Sequence, residues 1–567
     1  MSSVVAALDA NAFNFETGEN GNLQHTWGND IKALIVQLNY QLVRTNNSTT
    51  QADIFEKIYQ QVYLQDGIPF IRLKDSDYRE RKDMLVILHK LVAFTRDIIK
   101  GKGEYMLSFA MVNRIAKYNE VVAIELIRLF VNDLTWCEES HSLGSWKDIK
   151  YMWNNFNWSK SMQAFFIHLV NEQLWTDHVN LVNGKPISLV SKWIPREKSK
   201  YKDLFYILAE SYYPYTSTAK NSGTLILAKK KSYKDYRKLI SFLNRKLDTT
   251  QIKQCSGKYS GINFKTVTGI THAKQKSAFL NIKKGAGGKM VLRSNEEDRI
   301  CCSENYKEYM KDLSKNNKNI KGKRVGIVDM VKNSLMTIDT DGKAVINSQA
   351  NDIMNNLGSL ENFIAMVDTS GSMRGDPLYA AIGLGICIAN KSKLGKRVLT
   401  FDSEPAWINL EHEHGFCSQV KTINSSVWGL NTNFTSALLK ILSSCVEKKL
   451  TEEQVSNLVL VILSDMQIDS PGNEKLNEPM WQHIKRLYAN HGYRFIPHIL
   501  FWNLRHTSGF PVSVEQTGAT MFSGFSPSLL SVFTEKGMDA IKNANPWNTL
   551  MELLANNRYS SIKNIEI

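Results

Sequence analysis

The chain has 567 residues, enough for roughly two to four domains. With 43% hydrophobic and 22% charged residues it has the balance of a folded globular protein, and no apolar run approaches the ~20 residues a membrane helix needs. Its net charge of +15 is uneven: residues 185–324 hold 32 Lys and Arg against 11 Asp and Glu, a local +21, which leaves −6 for the remainder.

Residues 1–22 are polar and Asn/Gly-rich and are expected to form a flexible leader. They lack a basic n-region, so no secretory signal is expected. From about residue 23 to 283 the apolar spacing predicts one helix after another. Asp83–Ile99 places Leu85, Leu88, Val92 and Ile99 near helical spacing. Val121–Val131 is apolar nearly all round, which implies burial between other helices. Ser161–Trp175 is a third such segment. Turns are signalled by Gly101-Lys102-Gly103, Gly144-Ser145 and Asn183-Gly184-Lys185-Pro186. Stacked antiparallel helices in a solenoid-like array fit this pattern, although no fixed-period repeat is present.

The basic segment falls largely in this helical region. Lys198, Lys200 and Lys202 form one cluster, and Lys229, Lys230, Lys231, Lys234, Arg237 and Lys238 form another. Tyr201, Phe205, Tyr233, Tyr236 and Phe242 are interleaved. Cations neutralise phosphates and release counterions, and flat rings stack on bases, so the combination suits single-stranded nucleic acid. A solvated helical face accounts for lysines as well. A local +21 exceeds what solubility requires, and this favours a polyanion.

Residues 284–360 open on Lys284-Gly285-Ala286-Gly287-Gly288-Lys289 and continue through Lys315–Lys323, rich in Lys and Asn. They read as a flexible insertion and linker. The glycines lack the spacing of a phosphate-binding P-loop.

At residue 361 the texture changes. Apolar runs at Phe363–Val367, Arg397–Phe401, Leu458–Leu463 and Arg494–Trp502 alternate with helical stretches at Pro377–Lys391, Phe434–Lys448 and Glu478–Asn490. Short buried strands alternating with helices predict a doubly wound, Rossmann-like α/β domain over 361–567. Such sheets bind ligands beyond the carboxyl ends of their strands. Asp368 lies just past the first strand, with Ser370 and Ser372 on the same loop and Gly371 expected to permit its tight turn. Asp465 lies just past the Leu458–Leu463 strand, and Asn431–Thr435 opens a helix from the same side. Carboxylates with hydroxyls are hard ligands, suited to Mg²⁺ or Mn²⁺.

These three loops resemble those of von Willebrand factor A domains with a metal-ion-dependent adhesion site: Asp368-Thr369-Ser370-Gly371-Ser372 after a strand, Thr432-Asn433-Phe434-Thr435 before a helix, and Ser464-Asp465 at a strand end. The resemblance implies that Asp368, Ser370, Ser372, Thr432 and Asp465 surround the ion and that an acidic partner group fills an open position. Thr435 is the alternative to Thr432. More widely, residues 75–567 resemble a family of plants and large DNA viruses that has no settled activity. Asp97–Glu104, Lys192–Ser199, Tyr236–Lys246 and Ala278–Leu280 carry that resemblance. A helical array followed by an A domain is also similar to the architecture of the Ro (TROVE-module) RNA-binding proteins. This second likeness is one of architecture, and function argued from it is an analogy.

Glu411-His412-Glu413-His414 reads as a solvated polar turn rather than a metal site, and the adjacent Cys301-Cys302 as incidental. No CxxC, GxSxG, HExxH or P-loop pattern occurs, and no base stands beside a nucleophile. The scattered cysteines point to a reducing, intracellular (cytoplasmic) setting, with virion association for a viral protein. The sequence thus leads to an expectation of a non-enzymatic RNA-binding protein of Ro-like architecture carrying a divalent-metal adhesion site. The alternative is a metal-dependent protein-interaction or structural-assembly module, in a viral setting for example.

Overall fold

A computed structural model describes residues 15–17, 23–45, 47–65, 68–69, 78–316, 318–401, 404–426, 434–467, 480–506, 509–534 and 541–565. The helices used below are α1 (Ile31–Gln41), α2 (Thr49–Tyr63), α3 (Tyr78–Arg96), α4 (Glu120–Val131), α5 (Lys147–Asn155), α6 (Lys160–Val182), α7 (Lys202–Tyr212) and α8 (Ser222–Leu247) in the first half. They continue with α9 (Ile327–Met336), α10 (Thr340–Asn355), α11 (Asp376–Lys391), α12 (Phe434–Glu447), α13 (Met480–Asn490) and α14 (Pro546–Leu554). One sheet contains β1 (Phe363–Asp368), β2 (Arg397–Phe401), β3 (Ala406–Asn409), β4 (Val459–Ser464), β5 (His498–Asn503) and β6 (Ala519–Ser523). The chain therefore combines a helical array with a six-stranded mixed α/β sheet.

The contacts do not follow the boundaries expected at residues 283 and 360. One compact unit takes residues 1–107, 268–277 and 310–560, and the other takes 108–267, 278–309 and 561–567. The first three helices thus belong with the sheet, because α1 packs against β6 and α14, and α3 also packs against α14. Phe15–Thr17, in the expected leader, pairs antiparallel with Leu23–His25 just beyond it.

In the α/β unit the strand order is β6-β5-β4-β1-β2-β3, parallel throughout except for the antiparallel edge strand β3. From β1 the chain first builds outward through β2 and β3, then returns to the other side of β1 for β4, β5 and β6. The order reverses between β1 and β4, and such a switch point opens a crevice beyond the carboxyl ends of those two strands. β4 and β5 are buried along their whole length, which explains their continuous apolar sequence.

The expected linker is largely folded. Residues Ile282–Lys284 and Met290–Leu292 form a hairpin, Glu297–Lys315 is a helix, and α9 and α10 follow. α9 buries Ile327, Val328, Met330 and Val331, and it packs on α11. Those apolar residues keep helical spacing inside a stretch whose overall composition is polar.

In the helical unit each helix packs on near neighbours: α4 and α5 against α6, α7 against α6 and α8. α4 is not buried all round. Val122, Ala123, Leu126, Ile127 and Phe130 form its covered face, whereas Val121 is exposed. Its N-cap Asn119 accepts from the Val122 amide at 3.1 Å. The 26-residue α8 starts on a reciprocal cap between Asn221 and Thr224. It buries only Ser232, Tyr236, Leu239 and Leu243, and Tyr236 donates to Asn171 Oδ1 of α6 at 3.0 Å. Among the described residues no helix is long and apolar enough to cross a membrane.

Candidate metal centre

β1 delivers Asp368 to the switch point as its last, fully buried residue. The loop folds back at once: the Ser370 amide donates to Asp368 Oδ1 at 3.0 Å, and the Ser370 and Ser372 hydroxyls lie 3.1 Å apart. Gly371 is not where glycine is required. A side chain there would meet open space, and the left-handed backbone falls instead at Gly375, φ 97°, immediately before α11.

β4 delivers the second carboxylate. Ser464 ends the strand, and its hydroxyl donates to Asp368 Oδ2 at 2.5 Å. The next residue, Asp465, is fully buried. Met466 then adopts a left-handed φ of 61°, and its amide donates to Ser464 Oγ at 2.9 Å. Asp465 accepts from the Gln467 amide at 3.2 Å and hydrogen bonds with the Ser372 hydroxyl, so the loops after β1 and β4 are joined. Arg505, two residues past β5, approaches Asp465 Oδ2 at 3.5 Å and the Ser372 carbonyl at 3.4 Å. Its side chain is about half exposed, so it neutralises Asp465 only in part.

Burial, reinforced by the Asp465 charge, pushes the Asp368 carboxyl up to about 7, against the opposing hydrogen bonds from Ser464 and Ser370. Burial also raises Asp465, opposed by its bonds from Ser372 and Gln467 and by Arg505. Two buried carboxylates therefore repel each other electrostatically, with only the half-exposed Arg505 offsetting the charge of Asp465. Among the described residues no three His, Cys, Asp or Glu side chains gather as a metal group. A cation here would rest on two carboxylates and the serine hydroxyls, a hard-oxygen set that fits Mg²⁺ or Mn²⁺ with water completing the shell.

The structure thus brings together Asp368, Ser370, Ser372 and Asp465. Thr432 lies outside the described residues. The alternative, Thr435, stands in the first turn of α12 with its hydroxyl 3.0 Å from His483 Nε2. Sequence reasoning had Ser464 only as part of the third loop, with no role of its own, and it missed Arg505. The serine sat beside a more conspicuous aspartate, and the arginine joins the site only through the pairing of β5 with β4.

The basic candidates lie in the helical unit. Lys198, Lys200 and Lys202 are exposed at the approach to α7, and Lys230, Lys231, Lys234, Arg237 and Lys238 are exposed on α8. Acidic neighbours meet some of them. Lys229 pairs with Glu210 at 3.3 Å, Arg237 with Glu197, and Lys238 lies 3.9 Å from Asp235. Pairs this near the surface hold charge only weakly. The other candidate motifs have structural explanations. Glu413 accepts from Ser418 and Thr422 of the helix that follows it, and Glu411 accepts from the Lys396 amide at 2.9 Å. Cys302 is buried in the Glu297–Lys315 helix, and burial pushes its thiol up to about 11.

The family model described as "Domain of unknown function (DUF7788)" matches residues 362–560, which begins at β1 and runs past α14. The "Uncharacterized protein L728" of Acanthamoeba polyphaga mimivirus is 27% identical over 524 residues, covering 88% of this chain and 83% of that relative. The similarity covers enough of the chain to reach into both units.

Proposed function

We propose that this is a non-enzymatic RNA-binding protein in which the helical unit holds single-stranded RNA and the sheet is a von Willebrand factor A-type domain carrying a divalent cation. One observation carries the RNA reading. Lys230, Lys234, Lys238 and Arg245 recur at intervals of four, four and seven residues, which aligns them on one exposed side of α8. A straight row of cations on a helix of 26 residues tracks a flexible phosphate backbone. The Ro-like architecture supports the reading as an analogy only.

The test is binding of a fluorescent single-stranded RNA by the full chain across a salt series. Affinity is expected to fall steeply with salt, by about 0.7 log units per log unit of salt for each phosphate neutralised. Replacing Lys230, Lys234, Lys238 and Arg245 with Gln should weaken binding at least tenfold and flatten that slope. Unchanged affinity and slope in this variant would contradict the assignment.

A second reading, a metal-dependent protein-interaction module, is favoured by the paired buried carboxylates at the switch point. Asp368, Ser370, Ser372 and Asp465 would hold the ion, with Thr432 expected from the neighbouring loop. The ion would supply a Lewis-acidic position for a carboxylate of an acidic partner. The chain's own part is to fix the donors: Ser464 orients Asp368, and Ser372 joins the two loops.

A further inference from the structure

Outside both sites, three lysines converge on one indole. Lys147, Lys150 and Lys192 place their ammonium groups 5.7, 4.9 and 5.5 Å from the centre of the Trp193 ring. Two tyrosines complete the cluster. Lys147 and Lys150 lie 5.0 and 5.7 Å from the Tyr151 ring, and Lys200 lies 4.9 Å from the Tyr201 ring. The two tyrosine rings meet edge to face at 6.0 Å. All of these residues belong to the helical unit, and the three rings are partly exposed.

An aromatic face attracts one cation, by about 0.5–1 kcal/mol at an exposed site. It does not account for three, because like charges repel at these separations. Among the described residues, none of Lys147, Lys150, Lys192 and Lys200 has an ion pair with a carboxylate, in contrast to Lys229, Arg237 and Lys238 on α8. Burial lowers the Lys150 ammonium, and the Lys147 charge lowers it further, so the cluster has surplus positive charge. The depression lined by Lys150, Val190, Trp193 and Pro195 holds only about 10 Å³. That is too small for a base. A ligand ring must therefore stack on the outer faces of the aromatic side chains, with anionic groups beside the ammoniums.

We propose that Trp193, Tyr151 and Tyr201, with Lys147, Lys150, Lys192 and Lys200, form a stacking site for unpaired nucleotides. Bases lie on the rings and the flanking phosphates sit among the lysines. Duplexes, whose bases are already stacked, bind less well at this position. The assignment rests on the RNA reading above and gives it a second contact point, separate from the cationic row on α8.

The test uses the full chain with a short fluorescent single-stranded RNA, the matching single-stranded DNA, the RNA duplex and heparin. Trp193→Leu is expected to weaken single-stranded RNA and DNA binding about 5- to 100-fold, as loss of base stacking does. Trp193→Phe keeps a ring and should restore most of it, while heparin binding stays unchanged in both. Replacing Lys147, Lys150 and Lys192 with Gln should reduce the salt slope by about two units, three phosphates at 0.7 each. Ultraviolet crosslinking should map to peptides within 147–201. Circular dichroism confirms that each variant is folded. If Trp193→Leu binds RNA normally while the α8 variant is weakened, the stacking site is wrong and the RNA reading stands. If Trp193→Leu loses heparin as much as RNA, the patch is a general polyanion surface and the stacking site is overturned. If the wild-type chain binds no RNA, both assignments fall.

Discussion

Replacing Arg558 with Met is expected to destabilise the α/β unit by about 3–5 kcal/mol, the usual loss when one partner of a buried ion pair is removed. The Arg558 guanidinium holds Asp97 with two bonds, Nε to Oδ2 at 2.7 Å and Nη2 to Oδ1 at 3.0 Å. Tyr559 donates its hydroxyl to Asp97 Oδ2 at 2.9 Å, and the Ile99 amide donates to Oδ1 at 2.9 Å. Asp97 is fully buried and Arg558 is 2% exposed, so water cannot replace the lost cation. The pair joins residues 461 positions apart, tying the end of α3 to the segment after α14. Urea unfolding measures the effect as a lower midpoint. The double variant Asp97→Leu with Arg558→Met leaves no charge stranded and should lose less than the single variant. A single variant as stable as the wild type would mean that the pair does not anchor the first three helices.

Neutralising Asp368 is expected to change stability in opposite directions with and without a divalent cation. Asp368→Asn keeps the oxygen that accepts from the Ser370 amide, lets its amide nitrogen donate to the Ser464 hydroxyl in place of the present bond, and removes one of two buried charges. In EDTA at pH 8 the variant should therefore unfold at a higher temperature than the wild type. Saturating Mg²⁺ or Mn²⁺ stabilises the wild type through binding, by about 2.7 kcal/mol at a hundred times the dissociation constant. The variant has lost a ligand and should gain little, so the order of the two melting temperatures reverses. Melting curves that keep the same order in EDTA and in Mg²⁺ would contradict the cation assignment.

How much of this was legible in the sequence follows from the range of each interaction. β1 and β4 announced themselves because strands buried on both faces are continuously apolar, and the aspartates at their ends were placed with them. β3 and β6 were missed. Ala406–Asn409 is a four-residue edge strand, and Ala519–Ser523 carries no run of β-branched residues. The compact units divide the chain differently from the expected boundary at residue 283 for another reason. Helical periodicity tells which residues are covered, not which element covers them, and α1 is covered by β6 and α14 from the far end of the chain.

The Asp97–Glu104 segment shows the same limit. It carried a family resemblance in sequence, and the structure gives its charges a packing role. Asp97 holds Arg558, and Glu104 pairs with Arg44 at 3.0 Å. Lys102 is buried and donates to the Asn39 and Leu42 carbonyls and to Ser523 Oγ, at 2.6, 3.2 and 2.6 Å. Nothing in the local sequence marked these charges as buried, because their partners lie dozens to hundreds of positions away. In the helical unit the lysines of α8 stood out by density alone. The Trp193 cluster did not, because Lys147, Lys150, Lys192 and Lys200 are dispersed in sequence and meet only when the helical unit folds.

The central claim is that the two strands at the switch point hold one divalent cation between Asp368 and Asp465. Electron paramagnetic resonance of Mn²⁺ titrated into the full-length chain, after EDTA treatment and buffer exchange, tests it most directly. One tightly held Mn²⁺ per chain is expected in the wild type, displaced by Mg²⁺ and lost in both Asp368→Ala and Asp465→Ala. A wild-type chain that leaves all the Mn²⁺ signal free, or a bound ion that survives both substitutions, would contradict the account.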